Sequence, residues 1–215
     1  MNNTMMNKVE AIVTNFEDIK NRVKIKLRNA DSLPENTLAI PFLDMVITFQ
    51  IPVLEAENEI EDGEPNVVVN YALANKYGVS AQDLYLIALE NETQNNPARI
   101  ETMGNMLAGL MGVSFDDPVG NTLYVATNQK GTNGASVILY PNLLREFGNK
   151  IGESFYILPS SIHEVIFVPK SVGVDGNGFV EMVRDINRTV VAENEILSDN
   201  VYLYDLENDE IKIAA

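Results

Sequence analysis

Helix and strand signatures alternating along 215 residues predict a single α+β domain, with a mixed, mostly antiparallel sheet and helices mainly on one face. Three observations carry that prediction. Apolar residues recur at three-to-four spacing in several separate windows, which is the pattern of amphipathic helices. Short β-branched runs lie between them, joined by turns rich in Gly and Asn. The block 121–169 combines both patterns, reading strand, turn, strand, helix, strand and strand.

The elements follow in order. Met5, Val9, Ile12, Phe16 and Ile19 place a helix over residues 4–20. Val23, Ile25 and Leu27 then alternate with Lys24, Lys26 and Arg28, a strand with one apolar and one basic face. Pro41 and Pro52 bracket a β-branched and aromatic run over 45–51 that reads as a buried strand, with Asp44 capping or turning the chain before it. These residues, 1–54, form an N-terminal helix-and-strand portion. Residues 55–64 hold six acidic groups and no basic one, so like-charge repulsion makes them an exposed loop.

Val67, Val68 and Val69 resume a strand. Asn70 caps a helix ending at Gly78, and Ser80 with Asp83 forms a capping box for the next helix, which buries Leu84, Ile87 and Ala88. Residues 97–111 carry Ile100, Met103, Leu107 and Leu110 at helical spacing, with the methionines as a core stripe. Asp116 and Asp117 read as a turn. Residues 123–127 and 135–139 read as the two strands of a hairpin around Asn-Gln-Lys-Gly-Thr-Asn-Gly. Pro141 opens a helix that Gly152 stops. A strand over 155–158 breaks at Pro159-Ser160-Ser161 and resumes over 162–168. Phe179, Met182, Val183, Ile186 and Val190 mark a further helix, and residues 201–204 and 210–213 a closing hairpin.

Composition narrows the chemistry. With no cysteine and one histidine, disulfides, thiolate catalysis and cysteine zinc sites are excluded, and no metal is expected. The net charge of −16 argues against a general nucleic-acid surface, and it suits either a basic protein partner or simply a well-solvated chain. No uninterrupted apolar window of membrane-spanning length and no secretion signal is visible, so the expected location is cytoplasmic. Lys130-Gly131-Thr132 lacks the upstream glycine of a phosphate loop, and neither 55–64 nor the stretch from Asp175 and Asn177 has calcium-loop spacing. No cofactor is expected.

One constellation could carry catalysis: Ser160, Ser161, His163 and Glu164. A serine nucleophile needs a base within hydrogen-bond reach and a carboxylate to orient that base. If 161–165 is extended, Ser161 and His163 share a face while Glu164 points away, so a distant carboxylate such as Asp199 would have to serve. A Pro-Ser-Ser turn bonding its own backbone accounts for the same residues without chemistry. The expectation is therefore a non-enzymatic role, with a serine-type hydrolase using Ser161 and His163 as the alternative.

Several stretches are specific in order and spacing: residues 41–45 (Pro-Phe-Leu-Asp-Met), Gly78 and Ser80 with residues 83–85 and 88–91, residues 134–141, residues 156–164 (Tyr-Ile-Leu-Pro-Ser-Ser-Ile-His-Glu), and residues 197–202. On these the chain resembles an uncharacterised family widespread in gut Firmicutes and often carried on integrative conjugative elements, with the match densest over 66–205. The resemblance implies no assigned activity. It does imply a setting, in which the chain is an accessory or interaction module of a mobile element and its partner a basic host or element-encoded protein.

Overall fold

In the computed structural model, which describes residues 10, 12, 14–53, 65–111, 122–173 and 175–214, the period-two alternation after Val23 becomes strand β1 (Lys24–Asn29). Ile25 and Leu27 are buried while Lys24, Lys26 and Arg28, which alternate with them, are half-buried. β2 (Ala39–Phe42) and β3 (Met45–Pro52) form a hairpin whose turn holds Leu43 at φ 56°. β4 (Asn66–Val68) pairs with the far end of β3, so β3 is the centre of a four-stranded antiparallel sheet. The acidic loop 55–64, Asp116, Asp117 and much of the helix expected over 4–20 lie outside the described residues.

Helix α1 (Tyr71–Tyr77) starts where the Asn70 side chain accepts from the Leu73 N–H and stops at Gly78, at φ 70°. Helix α2 (Ala81–Asn95) opens with the expected capping box between Ser80 and Asp83. Those hydrogen bonds from Ser80 hold the Asp83 carboxyl below its ordinary range. Asn91 of α2 donates to the Lys20 and Val23 carbonyls at 2.8 and 2.9 Å, fixing the helix beside β1.

The next stretch departs from its helical reading. Ala98–Thr102 is strand β5, and only Met103–Met111 is helix α3. The apolar spacing over 97–111 suits either state in so short a window, and pairing with β6 (Tyr124–Asn128) decides it. Residues 134–139 differ as well. They form a buried 3₁₀ segment, so 123–139 is not a hairpin. Helix α4 (Leu143–Ile151) follows, begun by Asn142 at φ 63° and ended by Gly152 at φ 78°.

β7 (Phe155–Pro159) and β8 (Val165–Pro169) are separate antiparallel strands rather than one interrupted strand. After helix α5 (Gly176–Thr189), capped by Asp175, the hairpin of β9 (Tyr202–Asp205) and β10 (Glu210–Ile213) closes the second sheet. Its order is β10-β9-β7-β8-β6-β5, all antiparallel. The α+β class therefore holds, with the antiparallel strands shared between two sheets. One hydrophobic core joins them, containing Ile25, Phe49 and Ile51 from the first sheet and Phe155, Phe167 and Tyr202 from the second. Phe147 of α4 stacks edge-on against Phe155 at 4.8 Å in this core. α5 lies on the opposite face of the six-stranded sheet, where Phe179, Val180 and Val183 cover Tyr156, Leu158 and Val168. No described helix is long and apolar enough to cross a membrane.

Asp44, half-buried in the β2–β3 turn, ties the sheets together. Its carboxylate accepts from the Tyr202 hydroxyl and the Ser198 hydroxyl, each at 2.6 Å, and from Asn200 Nδ2 at 3.1 Å. Burial, and then donation to Asp44, push the Tyr202 phenol well above its ordinary value. Asp44→Ala leaves the buried hydroxyls of Ser198 and Tyr202 without this acceptor, at about 1–3 kcal/mol for each unsatisfied group. Urea denaturation of this variant is expected to show a loss of about 2–4 kcal/mol, while Tyr202→Phe, which removes one donor and strands none, loses about 1 kcal/mol.

Candidate functional site

The four residues singled out for catalysis sit together in the five-residue connection of the β7–β8 hairpin, between Pro159 and Val165, which are paired. They are not extended, so the same-face argument for Ser161 and His163 does not apply. The Ser160 and Ser161 N–H groups both donate to the Glu164 carbonyl, and Ser161 Oγ accepts from the His163 N–H at 3.0 Å. This is the self-bonded turn chemistry expected of a Pro-Ser-Ser sequence. Ser160 Oγ donates to the Glu164 carboxylate at 3.2 Å.

The His163 ring points at other elements. Nδ1 accepts from the Asn133 main-chain N–H at 3.2 Å, and Nε2 lies 3.7 Å from Glu195 Oε1. An accepting Nδ1 places the hydrogen of the neutral ring on Nε2, directed at Glu195. To act as a base toward serine, the ring would have to free one nitrogen lone pair. The Asn133 N–H occupies the one on Nδ1. The carboxylate near the ring is Glu195 rather than Asp199, which accepts from Asn187 Nδ2 at 2.8 Å. Nothing in the sequence pattern marks Glu195; it is one acid of several in a polar turn, brought close by the Ile162 N–H donating to its carbonyl at 2.9 Å.

Beneath the loop the backbone approaches unusually closely. The His163 carbonyl accepts from Thr127 Oγ1 at 2.8 Å, and Gly134 lies against both. A Cβ at position 134 would meet the His163 carbonyl oxygen at 2.5 Å and the Asn128 nitrogen at 2.7 Å, besides Thr127 Oγ1. Glycine is required there for space, not for its φ. Nearby, Asn128 Oδ1 and Asn133 Oδ1 are buried and accept no hydrogen bond from the described residues. Asn133 is itself left-handed, at φ 52°. The 128–134 turn thus places Gly131 at φ 69° and Asn133 at φ 52°, as residues of these types readily allow, and is held against the His163 loop.

A second polar cluster, which sequence reading missed, lies at the end of α2. Glu92, Asn96 and Tyr140 are all buried. Asn96 Nδ2 donates to Glu92 Oε2 at 2.9 Å, and the Tyr140 hydroxyl reaches the Asn96 carbonyl at 3.1 Å. Asn96 Oδ1 accepts from the Lys130 N–H at 3.1 Å, linking the cluster to the same 128–134 turn. Burial raises the Glu92 carboxyl above its ordinary range, opposed by the Asn96 hydrogen bond and the charges of Lys24 and Lys130. Among the described residues no group of three or more His, Cys, Asp or Glu could hold a metal ion.

Two measurements test this reading. Gly134→Ala is expected to lower stability by about 1–3 kcal/mol or more in urea denaturation, because two of the clashing atoms are backbone and cannot swing aside. Because the folded-state pKa of Glu92 is raised, its favourable contribution is complete below the unfolded carboxyl value and is lost as pH rises through the folded one. Glu92→Gln keeps an acceptor for Asn96 but does not titrate. It should melt above the parent at pH 8, and the gap should close as pH falls toward 4.

The comparisons place the chain without naming a chemistry. The model of a family of unknown function, DUF5688, matches residues 1–206. No curated protein and no solved structure matches. The match takes in residues 1–54 as well as the region from 66 onward, and the chain belongs to this family of unknown function.

Proposed function

We propose that this family member is a non-enzymatic protein-interaction module, an accessory of a mobile element, which docks a basic partner through the outer side of α5. The observation that carries the reading is a stripe of exposed apolar residues on that helix and its C-terminal cap, Val190. Met182, Ile186 and Val190 are 50%, 41% and 78% exposed, and they recur every four residues. A surface helix normally buries one apolar ridge and presents polar residues elsewhere. Here Phe179, Val180 and Val183 already form the buried ridge, and the apolar surface continues beyond it into solvent. Apolar side chains gathered in line on a surface, unlike singly scattered ones, suit a contact with another molecule.

Charge favours the kind of partner. Exposed Glu181 and Glu193 flank the stripe with Arg184, while Asp185 and Arg188 offset each other in an ion pair at 2.6 Å, so the local balance is slightly acidic. On a chain of net charge −16, that setting attracts a positively charged surface and repels an acidic one. The mobile-element setting comes from the family resemblance. The alternative, a serine-type hydrolase using Ser161 and His163, has less behind it, since the ring Nδ1 and the Ser161 hydroxyl oxygen both accept from main-chain N–H groups.

Capture experiments at graded salt test the proposal, with the intact chain and a Met182→Glu/Ile186→Glu double variant as baits. The intact chain should retain a basic protein at low ionic strength and release it as salt rises. The double variant should keep its circular dichroism spectrum and its stability within about 0.5 kcal/mol per exposed site and retain nothing. Retention by the double variant would remove α5 from the interface.

A further inference from the structure

We infer that the outer edge of β5 is a self-pairing surface, through which two copies of the chain join their six-stranded sheets about a two-fold axis at Ile100. The strand ends the sheet, and among the described residues nothing pairs with its outer side. Which main-chain groups face outward follows from the inner pairing. The Met103 N–H donates to the Leu123 carbonyl, and the Gln129 N–H to the Pro97 carbonyl. With β5 and β6 in continuous register from Ala98↔Asn128 to Thr102↔Tyr124, Arg99 and Glu101 therefore bond to β6. The main-chain groups of Ala98, Ile100 and Thr102 point the other way, toward the open edge.

Exposed edges in soluble proteins are usually blunted by a proline, a bulge, charged side chains or a short length. β5 has neither proline nor bulge and keeps five consecutive residues in register, and its two charged residues are of opposite sign. Its charges are also self-complementary. Arg99 and Glu101 flank Ile100 on one face, 3.5 Å apart, with side chains 51% and 40% exposed. In an antiparallel pairing centred on Ile100, Arg99 of each copy stands opposite Glu101 of the other. These are non-hydrogen-bonded positions, where facing side chains come closest. The two Ile100 residues exchange two main-chain hydrogen bonds, and each Thr102 N–H meets the Ala98 carbonyl of the other copy. The side chain of Thr102 is already engaged within its own chain, accepting from the Asn105 N–H at 3.2 Å at the start of α3.

A strand of this length supplies little buried area by itself. α3 begins directly after β5, so its first residue lies three positions from Ile100. That helix is apolar almost all round, and its Leu107 is exposed. A helix of this composition is ordinarily covered on more than one side, and a second copy would cover it. The opposite edge, β10, carries a similar Glu210-Ile211-Lys212 pattern but suits pairing less well. The equivalent register would set Asp209, left-handed at φ 54°, opposite Ile213. The β5 edge thus commits to one occupant, a second copy of this chain.

Sedimentation velocity of the full chain over a concentration series tests the inference, with three variants. The parent should show a reversible monomer–dimer equilibrium. Arg99→Glu and Glu101→Arg should each weaken it roughly tenfold or more, because a single reversal places like charges opposite one another twice across the axis. An equimolar mixture of these two variants should pair again, and so should the Arg99→Glu/Glu101→Arg double variant, whose pattern is once more self-complementary. Circular dichroism identifies any variant that fails to fold, and the mixture of folded single variants keeps the test decisive. A parent that stays monomeric at the highest concentration overturns the inference. So does a dimer indifferent to both single reversals, because its interface would lie elsewhere.

Discussion

The Asp44 carboxylate is the interaction on which the joining of the two sheets depends. It belongs to a hairpin turn of the first sheet, held open by Leu43 in the left-handed region, and its partners Ser198, Asn200 and Tyr202 belong to the segment entering the second. Hydrophobic contact between sheets is strong but not directional. Three donors converging on one carboxylate add direction, since neither sheet can slide without stranding buried hydroxyls. The two stretches that carry much of the family resemblance, residues 41–45 and 197–202, are more than 150 positions apart in sequence. They meet here.

A second fastening works at shorter range. The 3₁₀ segment from Gly134 brings its backbone against the His163 carbonyl, with no room for a side chain at the glycine. Asn133 N–H then reaches the His163 ring, and the Ala135 N–H donates to the Ile162 carbonyl. From the other side the Ile162 N–H holds the 193–195 turn. The lone histidine is therefore a junction of three loops. Its ring nitrogens are aimed at a main-chain amide and a carboxylate, which is the environment of a strut. The residues that look catalytic in one dimension make contacts here that hold the fold.

What could be read in advance divides along physical lines. Local chemistry was legible: the Ser80–Asp83 capping box, the Asn70 cap, the Gly78 and Gly152 stops and the alternating faces of β1 all form as their residue types require. Partner-dependent structure was not. Residues 135–139, Ala-Ser-Val-Ile-Leu, are mostly apolar with β-branched Val137 and Ile138, and such a run reads as strand until the fold buries every one of its residues in a 3₁₀ turn. Residues 98–102 read as helix because Ile100 and Met103 suit both periods, and the choice belongs to β6. At the site, the serine turn was legible as a turn. The pairing of β7 with β8 was not, and with it went the assumption that 161–165 is extended. Glu195 and Glu92 could not have been chosen from among the chain's 31 acidic residues, because only tertiary contact distinguishes them.

The proposed binding stripe and the β5 edge are best considered together. α5 packs over β7, near the middle of the six-stranded sheet, whereas β5 is its last strand. Pairing through β5 would therefore leave both α5 helices uncovered and fix them on one rigid, continuous sheet. Three apolar residues offer modest contact area, so a single stripe would bind its partner weakly. Two stripes held at a fixed separation convert the second contact into an intramolecular event, and a partner carrying two matching sites, or itself two-fold, would be held far more tightly than either stripe could manage alone. A weak surface on a small acidic domain becomes a selective one by this route, because the spacing between stripes then discriminates along with their chemistry.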